Sequence, residues 1–145
     1  NTIIGADEIV ESTDPVFAGR EVLVADDEPN IRMTIRDILR KYKVNVTIVA
    51  NGAEAVEQIN SRDFDLIISD IKMPDKTGYD IFAVARKKAV APPVILMTGF
   101  GYDPNHSIVR ASQEGLQAVL FKPFKVDQLL GEVRKALAAK AGSLK

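Results

Sequence analysis

From Arg20 onward, strand-sized apolar runs alternate with helix-sized amphipathic patterns five times, and this alternation leaves few architectures open. The apolar runs lie at about 21–25, 45–49, 65–69, 94–97 and 117–121, and the helical patterns at about 29–41, 52–60, 78–88, 104–114 and 125–140. In the first helical pattern Ile31, Ile35, Ile38 and Leu39 recur at the spacing of one helix face, and in the last Val126, Leu129, Leu130, Val133 and Leu137 do the same. Punctuation falls at the same boundaries. Pro29 suits the first turn of the first helix. Asn51 with Glu54, and Thr77 with Asp80, read as capping boxes. Asp103 and Pro104 open the fourth helix and Gly115 stops it. The last helix starts less well, with Lys125 where a short polar residue would cap.

The runs Val22–Val24, Leu66–Ile68 and Val94–Met97 are apolar at every position. A strand of that kind is covered on both faces, as in a parallel sheet packed between helices. Strict strand–helix alternation then predicts a doubly wound α/β fold. A chain of 145 residues suits one domain with a substantial core. The expected organisation is an N-terminal arm or linker over 1–19, the domain over 20–140 and a short tail over 141–145. In the arm, Ile3, Ile4, Ile9 and Val10 are scattered among acids without a period, and Asp14-Pro15 reads as a turn. The first residue is Asn1 rather than Met, which fits a piece of a longer protein.

The balance of charge narrows the function classes. A formal net charge of −1 supplies no basic field for nucleic acid or an anionic membrane surface. The absence of cysteine excludes disulfides and thiolate metal sites and accords with a reducing compartment. No apolar run approaches the roughly 20 residues that span a bilayer, and no secretory signal is visible.

The polar residues that close the apolar runs carry the chemistry. Asp26 and Asp27 follow the first run, Asp70 the third with Asp75 just beyond, Thr98 the fourth, and Lys122 with Pro123 the fifth. Ligands of doubly wound sheets bind outside the carboxyl ends of the strands. An aspartate after a strand is often only a helix cap, but that reading does not bring an acidic pair, a third acid, a hydroxyl and an amine to one edge. Gathered carboxylates repel one another unless a cation or a proton intervenes. The set suits phosphate chemistry on a divalent metal. Asp75 reads as a loop former rather than a ligand, His106 as a surface residue, and Arg86-Lys87-Lys88 as a solvated helix end.

The segments VLVADDEPNIR (22–32), LIISDIKMPDKTG (66–78), ILMTGFG (95–101) and LFKPF (120–124) together resemble the receiver domain of two-component response regulators, over about 20–140. The resemblance implies a flavodoxin-like, five-stranded parallel sheet of order 2-1-3-4-5 with five helices. It implies that Asp70 accepts a phosphoryl group from a histidine kinase or phosphotransfer protein. Asp26, Asp27, Asp70 and the backbone carbonyl of Lys72 would hold Mg²⁺ or Mn²⁺, with the Lys72 side chain left exposed. Thr98 and Lys122 would contact the phosphoryl oxygens, and the peptide before Pro123 would be cis. The implied protein is a cytoplasmic signalling switch that catalyses only its own phosphorylation and dephosphorylation. Its output partner or domain would be met at the fourth helix, fifth strand and fifth helix, a surface compatible with a homodimer, with no direct nucleic-acid or membrane contact.

One position departs from the family. Receivers commonly carry Tyr or Phe three residues before the lysine, where Val119 stands here, so no ring is available to turn inward. Gly99 and Gly101 give the loop after Thr98 conformational freedom, and the signal is expected to travel through this loop and the fourth helix, with Phe100 placed to hinder an attacking water. A phosphorylation-independent, receiver-like binding module is the alternative that Val119 supports. An aspartate-nucleophile phosphohydrolase of the haloacid dehalogenase type fits poorly, because Asp70 is followed by Ile71 and Lys72 rather than by a second acid.

Overall fold

In a computed structural model, which describes residues 14–99 and 111–143, the chain builds β1 (Glu21–Ala25), α1 (Pro29–Arg40), β2 (Asn45–Val49), α2 (Gly52–Ser61), β3 (Leu66–Asp70), α3 (Gly78–Arg86), β4 (Val94–Gly99), helical residues 111–113 (α4), β5 (Ala118–Lys122) and α5 (Val126–Ser143). The strands form one parallel sheet in the order β2-β1-β3-β4-β5. The greater part of the helix expected over 104–114, with Asp103 and Pro104, lies outside the described residues, as do Phe100, Gly101, His106 and residues 1–13 of the arm.

Successive strand residues point to opposite faces, and here both faces are covered. Leu23, Ile67 and Leu96 pack with Ala55, Ile59, Ile81 and Phe82 of α2 and α3. Val22, Val24, Ile68, Ile95 and Met97 pack with Ile35, Leu39, Leu129 and Val133 of α1 and α5. Every residue of β3 is buried, whereas β2 and β5 at the sheet edges keep exposed positions. Two-sided burial explains why the central strands read as continuous apolar runs. Truncating one of these side chains, Ile67→Ala for instance, costs about 2–5 kcal/mol.

Where the described residues include them, the helix starts follow the sequence signals with one difference, at α2. Thr77 and Asp80 form a complete capping box at α3. At α2, Asn51 accepts from the Glu54 N–H at 2.8 Å, but the Glu54 carboxylate accepts from Ala50 at 3.0 Å rather than closing on Asn51. At α5, Lys125 does not cap; the side chain of Gln128 instead accepts the Lys125 N–H at 2.8 Å. Gly115 takes φ +107°, a left-handed conformation that suits its place after α4.

Three other expectations change. The run Arg86-Lys87-Lys88 is not wholly solvated. Lys88 Nζ donates to the Ile59 carbonyl at 2.8 Å and pairs with Asp63 at 3.1 Å, while Arg86 pairs with Glu114 at 3.1 Å. The carbonyls ending α2 lack helical partners and accept the lysine instead. Residues 14–19, read as the end of an arm, pack against the domain. Phe17 is buried between Tyr42 and the guanidinium of Arg134, and Asp14 pairs with Arg134 at 2.6 Å. An aromatic ring provides too much apolar surface to leave in water when the base of α5 can cover it. At the other end α5 runs to Ser143, into the expected tail.

Candidate functional site

β1 lies between β2 and β3, so the chain leaves β1 toward one side of the sheet and β3 toward the other. The crevice at their carboxyl ends is the switch point where such sheets bind ligands. Asp26 and Asp27 lie just beyond β1 and Asp70 ends β3. Each of the three offers a carboxylate oxygen, and these atoms lie within 4.8 Å of one another. Asp26 is fully buried, Asp70 nearly so, and Asp27 exposed. The adjoining crevice, about 520 Å³, is walled by Asp27, Glu28, Asp70, Lys72, Met73, Pro74, Gly99 and Lys122.

Close backbone approach holds Asp70 in place. Gly78, the first residue of α3, sits so near the end of β3 that a Cβ there would lie 2.7 Å from the Asp70 carbonyl oxygen and 2.9 Å from Leu96. The Gly78 N–H donates to the Ile71 carbonyl at 2.9 Å. The hydroxyl of Ser69, fully buried, donates to the Asp70 carbonyl at 2.9 Å.

Asp26 is held from three directions. Its Oδ1 accepts the Glu28 N–H at 2.8 Å, its Oδ2 accepts Lys122 Nζ at 3.0 Å, and its carbonyl accepts the Arg32 guanidinium at 3.0 Å. Lys122 Nζ also lies 3.3 Å from Asp70 Oδ2 and 3.4 Å from Glu28 Oε1. The register that pairs Gly99 with Lys122 and Thr98 with Phe121 brings the last strand's lysine to this edge. Thr98 is buried beside it, and its hydroxyl donates to the Gly99 carbonyl at 3.2 Å.

Burial sets the protonation behaviour. It pushes the Asp70 carboxyl up to about 6, the Asp26 charge adds to the rise, and Lys122 opposes it. The sequence pointed to the neighbouring acids as the cause; in the structure burial is the larger one. Burial also raises Asp26, against the Glu28 N–H and Lys122. For Lys122, burial opposes the charged form, but hydrogen bonding and charge from Asp26 and then Asp70 outweigh it and hold the ammonium above its usual range. The donor set is all oxygen and strongly anionic, which fits a hard divalent cation such as Mg²⁺ rather than a thiophilic metal.

Of the residues singled out in sequence, Asp26, Asp27, Asp70, Thr98 and Lys122 meet at this edge, and Gly99 and Lys72 line the same crevice. The Lys122–Pro123 peptide is cis. Val119 is half-buried against the core layer of α2 and α3. Asp75 does shape a loop, but its main partners are at α2: it accepts from Gly52 at 2.9 Å and Ala53 at 2.8 Å, and those N–H groups hold its carboxyl below the usual range. Glu28, Ser69 and Gly78 were not found from sequence. The only signal for Glu28 was its place as the third acid after Asp26-Asp27.

The family model described as the response regulator receiver domain matches residues 22–134. The chain is 35% identical over 121 residues to the transcriptional regulatory protein PdtaR of Mycobacterium tuberculosis, covering 82% of this chain and 57% of that protein. It is 32% identical over 122 residues to the regulatory protein LuxO of Vibrio cholerae, covering 84% of this chain and 26% of that one. The chain thus spans between about a quarter and rather more than half of these relatives. Among solved structures, a CheY-like receiver domain protein from Methanospirillum hungatei superposes with a TM-score of 0.77 at 25% identity, over 86% of this chain and 98% of that one. Among the described residues, no helix is long and apolar enough to cross a membrane.

Proposed function

The chain belongs to the response regulator receiver domain family, and from that premise we propose that it is a phosphoacceptor switch in which Asp70 takes a phosphoryl group from the histidine of a kinase or phosphotransfer protein. In the transfer an Asp70 carboxylate oxygen attacks phosphorus, the new O–P bond forms as the N–P bond breaks, and the electron pair stays on the departing imidazole. The product is an acyl phosphate, labile enough to serve as a reversible mark.

The observation that carries this reading is the arrangement of Asp70 itself, a carboxylate 3.3 Å from a lysine ammonium and within 4.8 Å of two further acids at the switch point of the sheet. A carboxyl at about 6 is mostly ionised at neutral pH and so can act as a nucleophile. Phosphoryl transfer asks chiefly for positioning and for charge neutralisation on the equatorial oxygens. Lys122 lies where it can supply one donor. Thr98 can supply a second by giving up the Gly99 carbonyl. Asp26 and Asp27, with the Lys72 carbonyl, are the residues suited to hold Mg²⁺ or Mn²⁺. The bound cation would offset the acidic pocket's repulsion of an anionic phosphodonor.

Incubation with acetyl phosphate or phosphoramidate and Mg²⁺, followed by intact-mass measurement, tests the reading. One added phosphoryl group is expected, absent in Asp70→Asn. Failure of both donors to add mass to the wild-type chain would overturn it and favour a binding module that works without phosphorylation. The output partner is expected at the surface of α4, β5 and α5, where Phe121 is half exposed.

A further inference from the structure

The loop between β3 and α3, residues 71–77, is fixed at its two ends, where the Gly78 N–H donates to the Ile71 carbonyl at 2.9 Å. Ile71 and Met73 are buried in the core layer of α2 and α3 and peg its first half. Lys72, between them, lines the crevice with Met73 and Pro74. The second half lacks such pegs, since Pro74, Asp75 and Lys76 are all exposed. There the Asp75 carboxylate makes the tie. Its Oδ1 accepts the Gly52 N–H at 2.9 Å and its Oδ2 the Ala53 N–H at 2.8 Å, while Oδ1 also accepts the loop's own Lys76 N–H at 2.8 Å. Gly52 and Ala53 open α2, where N–H groups lack helical partners and the helix dipole favours an anion. Loop and helix also approach closely, so that a Cβ added at Gly52 would collide with the Lys76 Cβ.

Resting on the phosphoacceptor reading of Asp70, with its cation seat at Asp26, Asp27 and the Lys72 carbonyl, we propose that Asp75 is a positioning residue for that seat: by tying the β3–α3 loop to the start of α2 it holds the Lys72 backbone at the crevice. The members of the seat are not equally fixed. Asp26 and Asp70 are buried and share Lys122. The Lys72 carbonyl belongs to a loop whose far half lies on the surface, so its position needs a separate restraint. Asp75 joins that half to a helix whose Ala55 and Ile59 are buried in the core, which makes the anchor rigid. A loop ordered beforehand spares the cation the cost of ordering it, and whatever ordering is left to the binding step is subtracted from affinity. Asp75 therefore acts on the cation through Lys72 and not as a ligand.

The test is Mn²⁺ binding by the full chain, read from the free-ion signal in electron paramagnetic resonance, so that no phosphoryl chemistry enters. Asp75→Ala removes all three hydrogen bonds and is expected to raise the Mn²⁺ Kd about fivefold, less than the ~10–100-fold that follows loss of a group bonded directly to a metal ligand. Asp75→Asn keeps one acceptor without the charge and is expected to fall between Asp75→Ala and wild type. Gly52→Ala keeps the charge but drives helix and loop apart, and is expected to weaken binding too. Amide exchange at 71–76 in the metal-free chain is expected to quicken in Asp75→Ala. The ratio of Kd values is expected to persist in about 1 M KCl, where the screening length is ~3 Å. Faster exchange with wild-type Mn²⁺ affinity would overturn the proposal and leave Asp75 a loop tie alone. So would an Asp75→Ala effect that disappears in salt while Gly52→Ala binds as wild type, which would assign it to charge acting at a distance. Asp27→Asn separates the two readings. If it loses affinity and the Asp75 variants do not, only the role of Asp75 fails; if it too binds Mn²⁺ as wild type, the cation seat fails and this inference falls with it.

Discussion

Asp70→Asn is expected to stabilise the metal-free protein at neutral pH while abolishing phosphorylation. The Asp70 carboxyl is pushed up to about 6 from 3.8, first by burial and then by Asp26. That is roughly two pK units at about 1.4 kcal/mol each, so ionising Asp70 costs on the order of 3 kcal/mol more in the folded protein than in the unfolded chain. Below the unfolded value both states hold the proton and nothing is lost. Between the two values the folded state keeps the proton and the unfolded state does not, so stability falls as pH rises. Above about 6 the whole penalty applies. Asparagine is neutral throughout and escapes it, while Lys122 keeps Asp26 and Glu28 as partners. The stability gap between variant and wild type should therefore widen by about 2 kcal/mol between pH 4.5 and pH 7.5 and level off above it. Urea unfolding followed by far-UV circular dichroism in EDTA, at a series of pH values, measures the gap. A gap that is flat with pH, or that narrows as pH rises, refutes the reasoning.

Two other predictions rest on the same crevice. Mg²⁺ should raise the melting temperature of the wild-type chain at pH 7.5, by an amount equivalent to about 2.7 kcal/mol at a hundredfold excess over Kd, and Asp27→Asn should remove most of that increment at little cost to the metal-free protein, since Asp27 is exposed; an equal shift in both proteins would place the cation elsewhere. Gly78→Ala should destabilise by about 1–3 kcal/mol and slow phosphorylation by acetyl phosphate, because the added Cβ would meet the Asp70 carbonyl at 2.7 Å; unfolding curves and phosphorylation rates that match wild type would show that the β3–α3 junction yields without moving Asp70.

What the sequence determined was what repeats locally or ends a local pattern. The apolar periods placed the strands and helices, and continuous apolar runs marked β1, β3 and β4 as covered on both faces, because burial selects residues one position at a time. The same patterns showed that Asp26, Asp27, Asp70, Thr98 and Lys122 close strands, and so lie on one edge of a parallel sheet. The strand order came from resemblance to a family, because nothing local in a strand says which neighbour it pairs with. Tertiary structure alone decided the rest. Phe17 reads as part of an arm until α5 covers it, and Asp75 reads as a loop residue until α2 presents its N–H groups. Lys122 and Asp26 are 96 positions apart, and whether the ammonium reaches the carboxylate depends on register and depth in the sheet. The same holds for Glu28, which a helix start would ordinarily claim. Charges act through distance and burial, and those are properties of the packed sheet rather than of any stretch of the chain.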